Sequence, residues 1–220
     1  MTVKAHYAVI AGELAPGSRV SDAQFSKIPD LIRASFQAVN RLMPETGKLK
    51  YEIIRMDEFL GFSEYPVHSL RPVIMLFSAF RFLSFRELKE RLEIRVCQGI
   101  GPVEFAQEHL RESDGTAFRT ATDGLGKMKR NQRLVILTTG DPMNEEFALT
   151  CNFMDILIRS WSDEQAEAMF LNLTGKNQME ISQMLGISQP AVNRRLKAAH
   201  SDTIHRFIER FEKLLTLSVK

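Results

Sequence analysis

The segment that decides the fold is residues 177–196, NQMEISQMLGISQPAVNRRL. Its first part, residues 178–185, has apolar side chains at helical spacing and predicts a short helix with Ile181 and Leu185 on its buried face. Gly186 comes next, and glycine readily takes the left-handed conformation that ends a helix. The pattern therefore predicts one short helix that stops at a tight turn.

A second helix is predicted to begin directly after this turn. Ser188 is a favoured N-cap residue, and Pro190 fits a first turn because its missing N–H would have no partner there. Val192 and Leu196 are four residues apart and would pack this helix on the first one. An earlier helix, predicted over residues 163–173, would support the pair from behind.

The outward face of the second helix carries side chains of the types that contact nucleic acid. We expect Gln189, Asn193 and Arg194 to read base edges, and Ser188 and Lys197 to contact phosphates. This helix has three basic side chains and no acid. The pattern therefore predicts a DNA-binding helix-turn-helix, and the alternative is a helical hairpin that packs or binds another protein.

The same segment resembles the helix-turn-helix of sigma-factor region 4 and of LuxR-type regulators, above all at residues 179–181 and 185–192. The likeness covers about residues 163–199. It implies double-stranded DNA as the partner and a sequence-specific transcriptional regulator as the function. It does not extend to a complete sigma factor, because the residues before it read as mixed strand and helix.

The residues before this segment alternate between strand and helix patterns. Strands are predicted near residues 6–11, 49–53, 59–62, 92–101 and 134–137, and helices over 21–43, 70–83 and 115–128. Pro29 is expected to kink or restart the first helix. The order is a split βαβ arrangement with one more helix and strand.

We therefore predict an α+β fold in three parts. Residues 1–140 form a ferredoxin-like or cyclase-like βαββαβ domain, and residues 141–162 form a connecting helix. Residues 163–220 form an all-helical helix-turn-helix domain.

Short motifs in the first 130 residues are spaced as in one family of bacterial proteins. They are Gly12-Glu13 with Ser18-Arg19, Asp57-Glu58-Phe59, Gly99-Ile100-Gly101 and Gly115-Thr116-Ala117-Phe118. In this order they resemble the SatD-like family over about residues 7–130.

The strand order and hairpin also resemble nucleotide cyclases and diguanylate cyclases. In those enzymes carboxylates at the end of the first strand and at the hairpin bind two magnesium ions that hold a triphosphate. The resemblance implies Glu13, Asp57 and Glu58 as carboxylates here. It also implies phosphate contacts for a basic cluster, which consists of Lys127, Lys129, Arg130 and Arg133.

Three positions depart from these family patterns and weigh against catalysis. Glu13 stands where the family has Asp, Met56 where it has Gly, and Leu60 where it has Gln. Three interpretations stay open: ordinary polar turn residues, magnesium–nucleotide binding without turnover, and a metal-dependent nucleotide enzyme with a regulatory helical tail. We favour a non-catalytic regulator whose N-terminal domain senses an unidentified small molecule or dimerises.

Composition and charge limit the partners and the cellular compartment that we expect. The 220 residues have a formal charge of +2, so only a local basic face can argue for nucleic acid. Cys97 and Cys151 are isolated, as expected for buried cysteines in a reducing compartment. An apolar run such as residues 73–77 is far too short to span a membrane. We expect a cytoplasmic protein with no signal peptide and no membrane partner.

The last predicted helix has an apolar seam. Ile204, Ile208, Phe211 and Leu215 follow one another at four-three-four spacing. This is the spacing of a coiled coil about two heptads long. Two interpretations are open: the seam pairs the subunits of a homodimer, or the helix folds back on its own domain.

Overall fold

The computed structural model describes residues 6–18 and 20–218. Its strands are β1 (His6–Leu14), β2 (Lys50–Ile53), β3 (Glu58–Ser63), β4 (Ile94–Pro102) and β5 (Leu134–Leu137). Its helices are α1 (Asp22–Phe25), α2 (Ile28–Leu42), α3 (Leu70–Leu88), α4 (Thr116–Lys127), α5 (Asp141–Ser160), α6 (Asp163–Asn172), α7 (Gln178–Leu185), α8 (Gln189–Ala198) and α9 (Ser201–Ser218). None of these helices is both long and apolar enough to cross a lipid bilayer.

The five strands form one sheet in the order β2-β3-β1-β4-β5. β1 pairs antiparallel with β3 and with β4, and β3 pairs antiparallel with β2. β5 lies parallel to β4, and α4 provides the crossover that a parallel pair needs. The mixed α+β fold predicted from the sequence is confirmed.

Helices cover both faces of the sheet. Ala8 and Ile10 of β1 belong to a large core shared with α2 and α3, whereas Val9 and Ala11 belong to a smaller core beneath α4. Successive side chains of a strand point to opposite faces, so this alternation follows from strand geometry. β1 is therefore buried on both faces, which explains its unbroken apolar run.

The predicted strands and helices are present, with shifts at their ends. Pro29 restarts the first helix and does not kink it, because α1 ends at Phe25 and Pro29 lies in the first turn of α2. β1 continues to Leu14, beyond the predicted residue 11, because it pairs with β4 along its whole length.

Gly99 in β4 has a packing explanation. A Cβ atom at this position would lie 2.4 Å from the carbonyl oxygen of Ala117 and 2.7 Å from the amide nitrogen of Ala121, both in α4. The backbones of β4 and α4 therefore approach each other so closely that only glycine fits between them.

The C-terminal helices pack directly on α3. The rings of Phe82 and Phe170 lie 5.6 Å apart in an edge-on contact, and Arg86 forms a 2.6 Å ion pair with Glu167 of α6. One continuous cluster of buried side chains joins the sheet to α6, α8 and α9.

The apolar seam of α9 packs against other elements of the same chain. Its four members, Ile204, Ile208, Phe211 and Leu215, are all buried. The ring of Phe211 packs on that of Phe147 in α5, with 5.6 Å between the ring centres. Of the two interpretations of the seam, folding back is therefore the one observed, and these four side chains leave no apolar surface for a second subunit.

Candidate nucleic-acid interface

α7 begins with reciprocal capping bonds. The side-chain oxygen of Asn177 accepts hydrogen bonds from the backbone N–H groups of Met179 at 2.9 Å and Glu180 at 3.0 Å. The Glu180 carboxylate accepts the N–H of Asn177 at 2.7 Å. These bonds satisfy donors that the start of a helix otherwise leaves free, so they fix the first turn of this short helix.

Gly186 ends α7 in the left-handed conformation, with a φ of 64°. Its own N–H and that of Ile187 both donate to the carbonyl of Ser182, the latter at 3.1 Å. The chain then enters α8 through Ser188, the N-cap residue, whose backbone is extended. The predicted bounds of α7, the glycine turn and the N-cap position are confirmed.

The Ser188 hydroxyl has no capping role. At the start of α6, by comparison, the Ser162 hydroxyl accepts the N–H of Gln165 at 3.2 Å. The Ser188 side chain forms no such bond with α8, and Pro190 removes one of the donors it could have capped. The exposed hydroxyl therefore remains available to an acceptor outside the chain.

α8 is held against its neighbours by an apolar edge. Val192 and Leu196 lie one turn apart and are buried in the same cluster as Ile181 of α7. α6 contacts both α7 and α8, and Ala166 in α6 is fully buried. This packing determines which side of α8 points to solvent.

The opposite side of α8 is open. Ser188, Gln189, Arg194 and Lys197 are exposed, as predicted. Asn193 is half-buried and not fully outward, because it borders the packed edge of the helix. Gln189, Asn193 and Lys197 are spaced four residues apart and so follow one line along the helix, which brings the predicted contact residues together.

This side of the helix carries positive charge. Arg194 and Lys197 are exposed there, Arg195 is half-buried beside the packed edge, and α8 contains no Asp or Glu. Glu180, the acid in the first turn of α7, is engaged in the capping bonds. A basic surface of this kind attracts nucleic-acid phosphates, since each contact releases counterions from the duplex.

Trp161 ties the C-terminal end of α8 to the rest of the molecule. The indole N–H of this buried residue donates to the carbonyl of Ala199 at 3.0 Å. The carbonyl of Trp161 accepts a hydrogen bond from the guanidinium of Arg81 in α3 at 2.8 Å. One residue therefore links α3 to the end of α8.

Arg81 belongs to a buried charged network. The Glu93 carboxylate accepts from Arg81 at 2.5 Å and from Arg133 at 2.6 Å. Asp155 in α5 accepts the backbone N–H groups of Arg133 at 3.1 Å and Leu134 at 2.8 Å. Burial raises the pKa of Asp155 to about 6, and these hydrogen bonds act in the opposite direction.

Sequence reasoning missed this network because its members lie far apart in the chain. Two signals were available. Trp161 is the one tryptophan in the sequence, and Asp155 stands between apolar neighbours in the middle of a helix. Neither signal identifies Arg81 or Glu93 as the partner.

The carboxylates implied by the cyclase resemblance are engaged in ion pairs. The register of β1 and β3 places Glu13 opposite Glu58. Glu13 accepts from its β4 neighbour Arg95, with the guanidinium Nε at 2.6 Å, and Glu58 pairs with Arg55 at 3.2 Å. Asp57 is half-buried at the hairpin. A guanidinium on Glu13 does not fit a site for two magnesium ions, and residues 6–18 and 20–218 contain no group of three or more His, Cys, Asp or Glu that could hold a metal ion.

Only some members of the basic cluster are exposed on the surface. Lys127, Lys129 and Arg130 are exposed, but Arg133 is buried. The guanidinium of Arg133 donates to Glu93 and to the carbonyl of Arg130. The prediction that Arg133 faces a phosphate is therefore wrong, because its donors already have partners inside the fold.

Comparisons with known proteins leave the family resemblances as predictions. No protein-family model matches this chain, and no curated protein or solved structure matches it. Arg19, part of the SatD-like motif pair, lies outside the described residues.

Proposed function

We propose that this chain is a sequence-specific, DNA-binding transcriptional regulator in which α7 and α8 form a helix-turn-helix. The observation that carries this proposal is the exposed, acid-free side of α8, which the Gly186 turn and the Trp161 bond hold in one orientation. In this proposal α8 enters the major groove of double-stranded DNA, since a groove of that width admits a helix.

Each side chain that we propose to contact DNA has a role that suits its chemistry. The amides of Gln189 and Asn193 have the donor and acceptor that an adenine edge requires, and the Arg194 guanidinium matches guanine. Lys197 and the free Ser188 hydroxyl contact phosphates and fix the position of the helix on the duplex.

Two substitutions on α8 separate these roles. Lys197→Ala is expected to weaken binding to all DNA sequences alike and to lower the slope of log affinity against log salt by about one. Asn193→Ala is expected to relax the preference at one or two base pairs, at about 1–3 kcal/mol. Lys27→Ala removes an exposed charge before α2 and serves as the control.

The measurement is a titration of labelled duplexes at several salt concentrations. An equal loss on specific and random DNA from Asn193→Ala would overturn its base-reading role. Affinity that responds no more to Lys197→Ala than to Lys27→Ala would overturn the placement of α8 on DNA.

We also propose that β1 to β4 with α2 and α3 form a ferredoxin-like or cyclase-like unit of the SatD-like kind. The antiparallel order β2-β3-β1-β4 supports this, with α4 and β5 as an addition at the β4 edge. In this proposal the unit senses a small molecule or supports dimerisation. The alternative of a magnesium-dependent nucleotide enzyme has less support, because Glu13 is paired with Arg95.

A further inference from the structure

An apolar stripe runs along the outer side of α5. Leu149, Phe153 and Ile156 are 60%, 57% and 66% exposed. They lie at i, i+4 and i+7, which places them on one line of the helix, opposite the buried residues Phe147 and Met154. A line of three large apolar side chains in water indicates a surface that another molecule covers.

Opposite charges stand at the two ends of this stripe. Glu145 lies before it and Arg159 after it on the same side of α5, about 21 Å apart along the helix axis. Both are exposed, and neither lies within salt-bridge distance of another described side chain, although the charge of Arg159 also acts favourably on the carboxylate of Asp155 one turn earlier. Asn152 is exposed at the midpoint. The surface is therefore acidic at one end, basic at the other and apolar between.

We propose that this stripe is the contact between two copies of the chain, packed as antiparallel α5 helices about a two-fold axis near Asn152. Residues 145, 149, 152, 156 and 159 follow the four-three repeat of a coiled-coil seam. About an axis at Asn152, this residue faces Asn152 of the second copy, and Leu149 comes within one residue of the position opposite Ile156 of the second copy. Phe153 flanks the seam beside Asn152.

Charge complementarity identifies the occupant as a second copy. A two-fold contact joins the same surface of both subunits, so that residue i of one copy contacts residue j of the other and residue j contacts residue i. Glu145 then faces Arg159 of the second copy, and the same pair forms again at the other end. A parallel arrangement would oppose like charges. Asn152 at the centre also specifies register, as a polar residue does in a coiled-coil seam.

The proposal of this dimer does not rest on the proposed DNA binding. The contact does not include the α9 seam, which is buried inside the chain.

Sedimentation velocity of the full chain over a range of concentrations tests whether the dimer forms. We expect the mass of two chains at high concentration and of one chain on dilution. Phe153→Ser should raise the dissociation constant by about thirtyfold or more, with an unchanged circular dichroism spectrum.

Charge reversal tests the two-fold arrangement itself. Glu145→Arg and Arg159→Glu should each weaken self-association by roughly tenfold, because each places like charges opposite one another. A mixture of the two variants should form heterodimers, since every facing pair is then of opposite charge. Native mass spectrometry resolves these species by mass. Glu108→Arg, an equal charge change outside α5, is the control and should leave dimerisation unchanged.

Three results would overturn the inference. The first is a wild-type chain that stays monomeric at every concentration. The second is a dimer whose affinity is insensitive to Phe153→Ser. The third is self-association of each charge variant at wild-type strength, with no preference for the heterodimer in the mixture.

Discussion

Trp161 and Ala199, the residues that end α5 and α8, are joined by a hydrogen bond of 3.0 Å from the indole N–H to the carbonyl oxygen. Both residues are buried. Since the Ala199 carbonyl lies at the end of the helix that carries the exposed basic side, this bond helps determine how that side is presented. Through Arg81 the same residue connects α8 to α3.

Trp161→Phe should lower the free energy of unfolding by about 1–3 kcal/mol, because it leaves the buried Ala199 carbonyl without a donor. Urea denaturation measures this change, and amide exchange in α8 should become faster. Tyr65→Phe removes a hydroxyl from a half-exposed ring and is expected to stay within about 0.5 kcal/mol of the wild type. Equal effects of the two substitutions would contradict the anchoring role of Trp161.

Substitution of two glycines by alanine should change the free energy of unfolding in opposite directions. Gly186→Ala forces a Cβ atom into the left-handed region at φ 64° and should cost about 1–2 kcal/mol. Gly126 lies inside α4 with open space where a Cβ would stand, so Gly126→Ala should stabilise the protein by about 0.5–1 kcal/mol. Thermal denaturation of both variants tests the pair, and a destabilised Gly126→Ala together with a neutral Gly186→Ala would refute it.

Asp155 should make stability depend on pH. Burial raises its pKa from 3.8 to about 6 in the folded chain, so the folded state binds the proton more tightly than the unfolded state. The stabilisation from this proton is complete below about pH 4 and is lost as the pH rises through about 6. The wild type should therefore lose free energy of unfolding relative to Asp155→Asn between these values. A carboxyl titration by NMR with a midpoint at or below 4 would contradict this.

The two cysteines should resist thiol reagents in the folded protein. Burial raises the pKa of Cys97 to about 12, and burial also raises the pKa of Cys151. Thiolate, the reactive form, is therefore scarce at neutral pH. An Ellman assay should detect no fast-reacting thiol in native buffer and both thiols in guanidinium chloride. Rapid modification of either cysteine in native buffer would show that its surroundings are open.

The helical bounds around the candidate interface could be predicted because their signals are local. A cap residue acts within one turn, a left-handed glycine ends a helix where it stands, and Pro190 fits only a first turn. The same is true of Pro29, which begins α2. The exposed side of α8 then followed from the spacing of Val192 and Leu196.

Features that depend on packing between distant parts of the chain could not be predicted from local sequence signals. The α9 seam has coiled-coil spacing whether a second subunit or its own chain covers it. In the sequence, Arg133 and Glu13 have no evident ion-pair partner and so could be assigned to a ligand site. The fold brings Glu93 to Arg133 and Arg95 to Glu13. The half-burial of Asn193 likewise reflects how closely α8 lies against its neighbours.

Selection from a random duplex library by the full chain, at near-physiological salt, tests DNA reading by α8 most directly. The selected sequences should share one motif, and selection with Asn193→Ala should lose information at one or two positions of that motif while the rest persists. No enrichment over the starting library would contradict the account. A motif that is unchanged by substitutions at Gln189, Asn193 and Arg194 would contradict it equally.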